Sequence, residues 1–368
     1  MVATCSGNGK GTSKLRARVF SGIPAIVLVS LTLAGCSTPG DAAPPERNVG
    51  PVTAGEIAPN SLEGVHLAFA SSGGVYQEGI EQAIWEPFME ASGAVIAQDA
   101  FDLGKLQAMV EGGSVSWDIV HNSAVDTGAQ CGTLLQELDL DLIDTSQVPE
   151  DLEIQECGVP APYLGYVVAY NTELFGDNPP TSAADFFDLK KFPGNRGVAQ
   201  TSWADYPIIE FAMVAEGEDP ADLAVSDIAP ALDKFAGLGD KLVGWTTGAQ
   251  AQQQLESGEV AMSLVWTSRG YGAALAGAPV APMWQDSFMS VDYLGIPKGV
   301  KDPEAAHLAI NYLLGAKQQE EMVPLNGMAP VNKDAAPVVD DLLSTWLVSD
   351  HADLARNANI DFWVGVSV

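Results

Sequence analysis

Strand-like and helix-like apolar patterns alternate through most of this chain, and that alternation restricts the fold more than any other feature. Residues 65–70 form a short apolar run that ends in Ser71-Ser72-Gly73-Gly74. Apolar residues then recur at Ile80, Ile84, Trp85 and Phe88, the spacing of one helix face. The unit repeats: residues 94–97 read as a strand, Leu103, Leu106, Met109 and Val110 as a helix face, Gly112-Gly113 as its stop, and residues 117–121 as the next strand. Alternation of this kind predicts an α/β fold with parallel sheets and a ligand site at the carboxyl ends of the strands. Residues 166–171 are nearly all apolar or aromatic, as in a strand buried on both faces, and are expected to cross between two halves of the molecule. Further strands are predicted at 197–200, 260–266 and 291–296. Helices are predicted before Leu189, through Ile208–Met213, around 232–235 and 249–255, and after Asp302, an N-cap followed by Pro303.

Ahead of this pattern lies a basic segment (Lys10, Lys14, Arg16, Arg18), an apolar run over 23–33 and then Leu33-Ala34-Gly35-Cys36. The three parts read as an export signal, too short to span a bilayer comfortably. Leu-Ala-Gly-Cys after such a run resembles the lipobox of bacterial lipoproteins. The resemblance implies cleavage before Cys36, lipid on that cysteine and a protein held at the outer face of the cytoplasmic membrane. The alternatives are an ordinary secretory signal or an uncleaved buried helix. Residues 36–61, rich in Pro, Gly, Ala and Ser, are expected to be a flexible tether. Without residues 1–35 the chain keeps 333 residues, more than one compact core usually holds, so two lobes are expected.

The whole chain has 17 basic and 48 acidic side chains, net −31; loss of the four leader cations leaves 13 against 48. Nucleic acid is a poor partner for such a surface, whereas cationic solutes would be steered toward it. Once the leader and the lipid-bearing cysteine are set aside, Cys131 and Cys157 remain. In an oxidising compartment they read as a disulfide, with two buried thiols as the alternative. There is no G-x-S-x-G, and the four histidines (His66, His121, His307, His351) are scattered without metal-ligand spacing. Neither an enzyme nor a metal or cofactor protein is expected.

Aromatic or polar residues do recur at or just beyond strand ends: Ser72 and Tyr76, Asn122 and Ser123, Trp203 and Asp205, Trp266 and Arg269, Trp284, then Asp292 and Tyr293. Aromatic walls suit ammonium groups, and a carboxylate such as Asp292 inside an apolar strand needs a partner. That partner is either a ligand or Arg269. Trp266 and Trp284 fit a core as readily as a cleft.

The order of segments over residues 62–335 resembles the spermidine/putrescine-type substrate-binding proteins of ABC importers. The likeness is carried by residues 72–77 (SGGVYQ), residues 105–111 followed by Trp117-Asp118-Ile119-Val120, and Asp185-Phe186-Phe187-Asp188-Leu189-Lys190-Lys191-Phe192-Pro193-Gly194. It continues in Ser257-Gly258-Glu259-Val260 and in Val291-Asp292-Tyr293 ahead of Ile296-Pro297-Lys298-Gly299. The paired Cys131 and Cys157 look like a branch of that family. The resemblance implies a type II periplasmic-binding-protein fold, two α/β lobes joined by crossing hinge strands. Its first lobe would span 62–166 plus 290–368 and its second 167–289, with the tail from 336, including Trp346 and Trp363, on the first lobe. It also implies a monomer that delivers a solute to a permease. Matching cleft positions are Ser72, Tyr76, Ser123, Trp203, Asp205, Trp266 and Asp292. Where diamine binders carry a second carboxylate three residues after the tryptophan, this chain has Arg269. A polyamine is the first expectation for the solute, and a zwitterionic ω-amino acid such as 4-aminobutyrate the alternative. A secreted enzyme reusing the fold, or a surface sensor, are competing classes.

Overall fold

The computed structural model describes Arg47, residues 51–200 and residues 206–367. Its strands in chain order are β1 (His66–Ser71), β2 (Val95–Ala100), β3 (Ile119–Ser123), β4 (Val159–Pro160), β5 (Leu164–Asn171) and β6 (Arg196–Ala199). They continue with β7 (Leu242–Trp245), β8 (Met262–Trp266), β9 (Val280–Ser290), β10 (Asp292–Gly295) and β11 (Ala355–Asn357). One sheet has the order β2-β1-β3-β10-β4 and the other β11-β9-β5-β8-β6-β7. In the first, β1 runs parallel to β2 and β3, and β10 antiparallel to β3 and β4. In the second, β6 runs parallel to β7 and β8, while β5 lies antiparallel between β8 and β9. The chain passes between the sheets twice over short segments, residues 161–163 and Val291.

Helices cover the sheets because the crossovers between parallel strands must return over a face. The Leu103–Glu111 helix starts at Asp102, whose carboxylate accepts from Lys105 N at 2.7 Å. Pro303–Leu313 starts at Asp302, which accepts from Ala305 N at 3.1 Å, the cap the sequence foretold. A continuous apolar core runs from Phe69, Trp85 and Phe88 through Tyr166, Val167 and Val168 to Phe211 and Phe288.

Two segments depart from the sequence reading. Residues 51–61, expected to belong to the tether, are pinned by backbone hydrogen bonds and by Val52, Ala54 and Ile57 packed against the core: Gly55 N donates to Asn311 O at 2.9 Å, Asn311 Nδ2 to Thr53 O at 2.9 Å, and Ala54 N to Asp144 Oδ2 at 3.2 Å. The tail, expected on the first lobe, is shared. β11 pairs with β9 of the second sheet, satisfying an edge that would otherwise be left open. The Ile360–Ser367 helix instead lies against Ala124–Gln130 beside the first sheet, where a Cβ on Gly128 would sit 2.9 Å from Val364 Cγ2.

Candidate ligand cleft

The site forms where the carboxyl ends of parallel strands from the two sheets meet. A Cβ placed on Gly74, one turn past β1, would lie 3.4 Å from Nη1 of Arg269, one turn past β8. Gly73 and Gly74 hold positive φ of 70° and 62°, the left-handed backbone that lets β1 turn at once into the Gly74–Ile80 helix. The first residue of that short helix lies beside Arg269, and its Tyr76 packs on His121, which neighbours Asp292.

On the first sheet, Asp292 opens β10 opposite Ser123 of β3. The Tyr76 and His121 rings lie 4.5 Å apart, and His121 Nε2 is 3.5 Å from Asp292 Oδ2. Burial, then the Asp292 charge, hold the Tyr76 hydroxyl well above its ordinary range. Burial pushes His121 down to about 3. The imidazole is therefore neutral at pH 7 and brings no positive charge to Asp292. The carboxylate side chain remains 27% exposed, enough for a solute to reach.

On the second sheet, Trp266 ends β8 with its ring 5.2 Å from the fully buried Trp245 and 6.4 Å from Tyr166. Arg269 follows in the Thr267–Leu275 helix. Its Nε is buried without a hydrogen bond, and no acidic side chain among the described residues forms an ion pair with it. Burial pulls its proton affinity below the ordinary arginine value. Arg196 shows what a structural arginine looks like in the same protein. It is fully buried, yet its guanidinium donates to the carbonyls of Phe186, Phe192 and Gly194 at 2.5, 2.5 and 3.1 Å. Arg196 is saturated by its own chain, whereas Arg269 is placed with donors to spare.

Other expected site residues fare differently. Ser72 is exposed at the turn. Ser123 caps a helix, accepting from Asp126 N at 3.0 Å and donating to Asp126 Oδ2 at 2.9 Å. Trp284 is drawn to the tail: it stacks on His351 at 4.4 Å and donates to Thr345 O at 3.0 Å, the core reading that its sequence left open. Tyr293 points away from its neighbour Asp292, because neighbouring residues of a strand face opposite ways. Its hydroxyl donates to Glu153 O at 2.7 Å, away from Asp292. Trp203, Asp205 and Cys36 lie outside the described residues. Cys131 and Cys157 are joined as a disulfide. Sequence reasoning passed over His121, Trp245 and Gly248. The first two sit in apolar stretches that read as core, and the third carried no signal beyond the start of a helix.

A profile of bacterial extracellular solute-binding proteins matches residues 86–351. The chain belongs to that family. This solute-binding protein is 29% identical over 310 residues to the gamma-aminobutyric acid-binding protein of Pseudomonas aeruginosa, covering 81% of this chain and 86% of the relative. It is 24% identical over 204 residues, 55% of each chain, to spermidine/putrescine-binding periplasmic protein 1 of Haemophilus influenzae. Among solved structures, a GABA receptor superposes with a TM-score of 0.74 at 31% identity, covering 82% of this chain and 94% of that one. The solved structure shares the α/β architecture of this chain, and the two sequence relatives are solute-binding proteins by name. No helix among the described residues of this solute-binding protein is long and apolar enough to cross a membrane.

Proposed function

We propose that this protein is the solute receptor of an ABC importer, anchored outside the cytoplasmic membrane by lipid on Cys36, and that its solute is an ω-amino acid of the 4-aminobutyrate class. The observation that carries this reading is Arg269: a part-buried cation at the meeting of the two sheets, without an acidic partner among the described residues. A carboxylate satisfies it, and Arg–carboxylate pairs take a bidentate, charge-assisted geometry. The ammonium at the other end of the solute goes to Asp292, with the Trp266 face offering cation–π attraction. A diamine would instead bring one of its two cations against the guanidinium. The GABA-binding relatives support the same choice. Because the solute touches both sheets, binding favours closure about residues 161–163 and Val291, the form handed to the permease.

Calorimetric titration with 4-aminobutyrate, 5-aminovalerate, putrescine and spermidine tests the proposal. Heat from the amino acids and none from the diamines is expected. Binding of putrescine alone would restore the polyamine reading.

A further inference from the structure

Arg269 does not reach the cleft by its own length alone; the backbone beside it leaves room. Gly248 opens the Gly248–Glu256 helix just past β7. A Cβ built there would meet Nε of Arg269 first, then Cζ at 2.9 Å and Nη2 at 3.0 Å. All three of the nearest atoms belong to the guanidinium, and contacts that close force something to move. Gly248 does not have a positive φ, unlike Gly73 and Gly74, so its backbone is open to any L-residue. The missing methyl therefore serves Arg269 and not the turn.

We propose that Gly248 is a specificity-determining position: its bare Cα is the shelf on which the Arg269 guanidinium lies flat, and that shelf aims the charge at the solute carboxylate. This deepens the assignment above and rests on it. A side chain at 248 would lift the guanidinium off the shelf. The bidentate geometry is lost first, because a planar fork tolerates displacement poorly. Binding through the ammonium end at Asp292 would persist.

Gly248→Ala is a clean probe, since alanine at the first helical position is favourable to the helix. The experiment is a double-mutant cycle by calorimetry with 4-aminobutyrate on the purified protein, using the parent, Gly248→Ala, Arg269→Ala and the double variant. Unfolding midpoints without ligand are measured alongside. The expected result is a loss of about tenfold or more in affinity for Gly248→Ala in the parent background, with unchanged unliganded stability. In the Arg269→Ala background the same change should have almost no effect, because the group it displaces is gone. If Arg269→Ala weakens binding while Gly248→Ala does not, the shelf is overturned and the carboxylate assignment stands. If Gly248→Ala weakens binding equally in both backgrounds, its effect is general and the shelf is again overturned. If Arg269→Ala leaves affinity unchanged, or the parent does not bind 4-aminobutyrate, the assignment itself fails and the shelf fails with it.

Discussion

Asp292 opens β10 of the first sheet, and Arg269 lies in the helix that follows β8 of the second. Beside the acid stands the neutral His121 imidazole, and beside the base the bare backbone of Gly248. Asp292→Asn and Arg269→Ala are each expected to weaken 4-aminobutyrate binding by about 1.5–3 kcal/mol, the range of hydrogen bonds to charged groups, as read by calorimetry. Trp284→Phe separates cleft from tail. It removes the donor to Thr345 and should lower unfolding stability by about 1 kcal/mol while leaving solute affinity within about threefold. Asp292 stood out in the sequence because a carboxylate in an apolar strand demands an explanation, and the structure sets it 3.5 Å from His121. For Trp284 core and cleft stayed equally open, because composition does not say which face of a strand a residue occupies when the register of the whole sheet is unknown.

At the scale of elements, one buried carboxylate adds to the strand pairing that holds the tail. Glu210, fully buried in the Tyr206–Glu216 helix, accepts from Trp363 Nε1 at 2.7 Å and from Asn359 N at 3.0 Å. Burial outweighs these two donors and pushes the carboxyl up to about 7. The folded state thus holds this proton more tightly than the unfolded chain, whose glutamate titrates near its ordinary 4.5. The group's favourable contribution is complete below that ordinary value and is lost as pH rises through about 7. Glu210→Gln keeps an acceptor and removes the titration. Between pH 4 and 8, the difference in unfolding free energy between variant and parent should shift by about 3 kcal/mol in the variant's favour, measured by denaturant unfolding at each pH. Elements with strong local signals, such as Asp302-Pro303 opening a helix, were legible. The long strand β9 was not. Pro282 and Asp286 interrupt its pattern, and Asp286 adopts a φ of 63° with its carboxylate accepting from Ala183 N at 3.0 Å. Pairing with β5 and β11 makes this segment a strand, and propensity alone does not.

Across the whole molecule, the disulfide closes a span of 26 residues between the helix after β3 and the start of β4. Replacing both cysteines by serine should lower stability by roughly 3 to 4 kcal/mol, measured by denaturant unfolding, because the open chain regains the loop entropy that the link removes. The sequence by itself determined the α/β class, the succession of strand and helix units, the cysteine pair and the presence of an acid and a base past strand ends. These are set by local periodicity, turn chemistry and residue type, which neighbouring residues suffice to express. Only the tertiary structure decided that Gly74 and Gly248 approach Arg269, that Trp284 donates to Thr345 and Tyr293 to Glu153, and that the tail joins both sheets. Those outcomes depend on register and on which distant backbones approach closely enough to share or exclude a side chain, as Gly248 and Gly74 do around one guanidinium, and no local pattern encodes such distances.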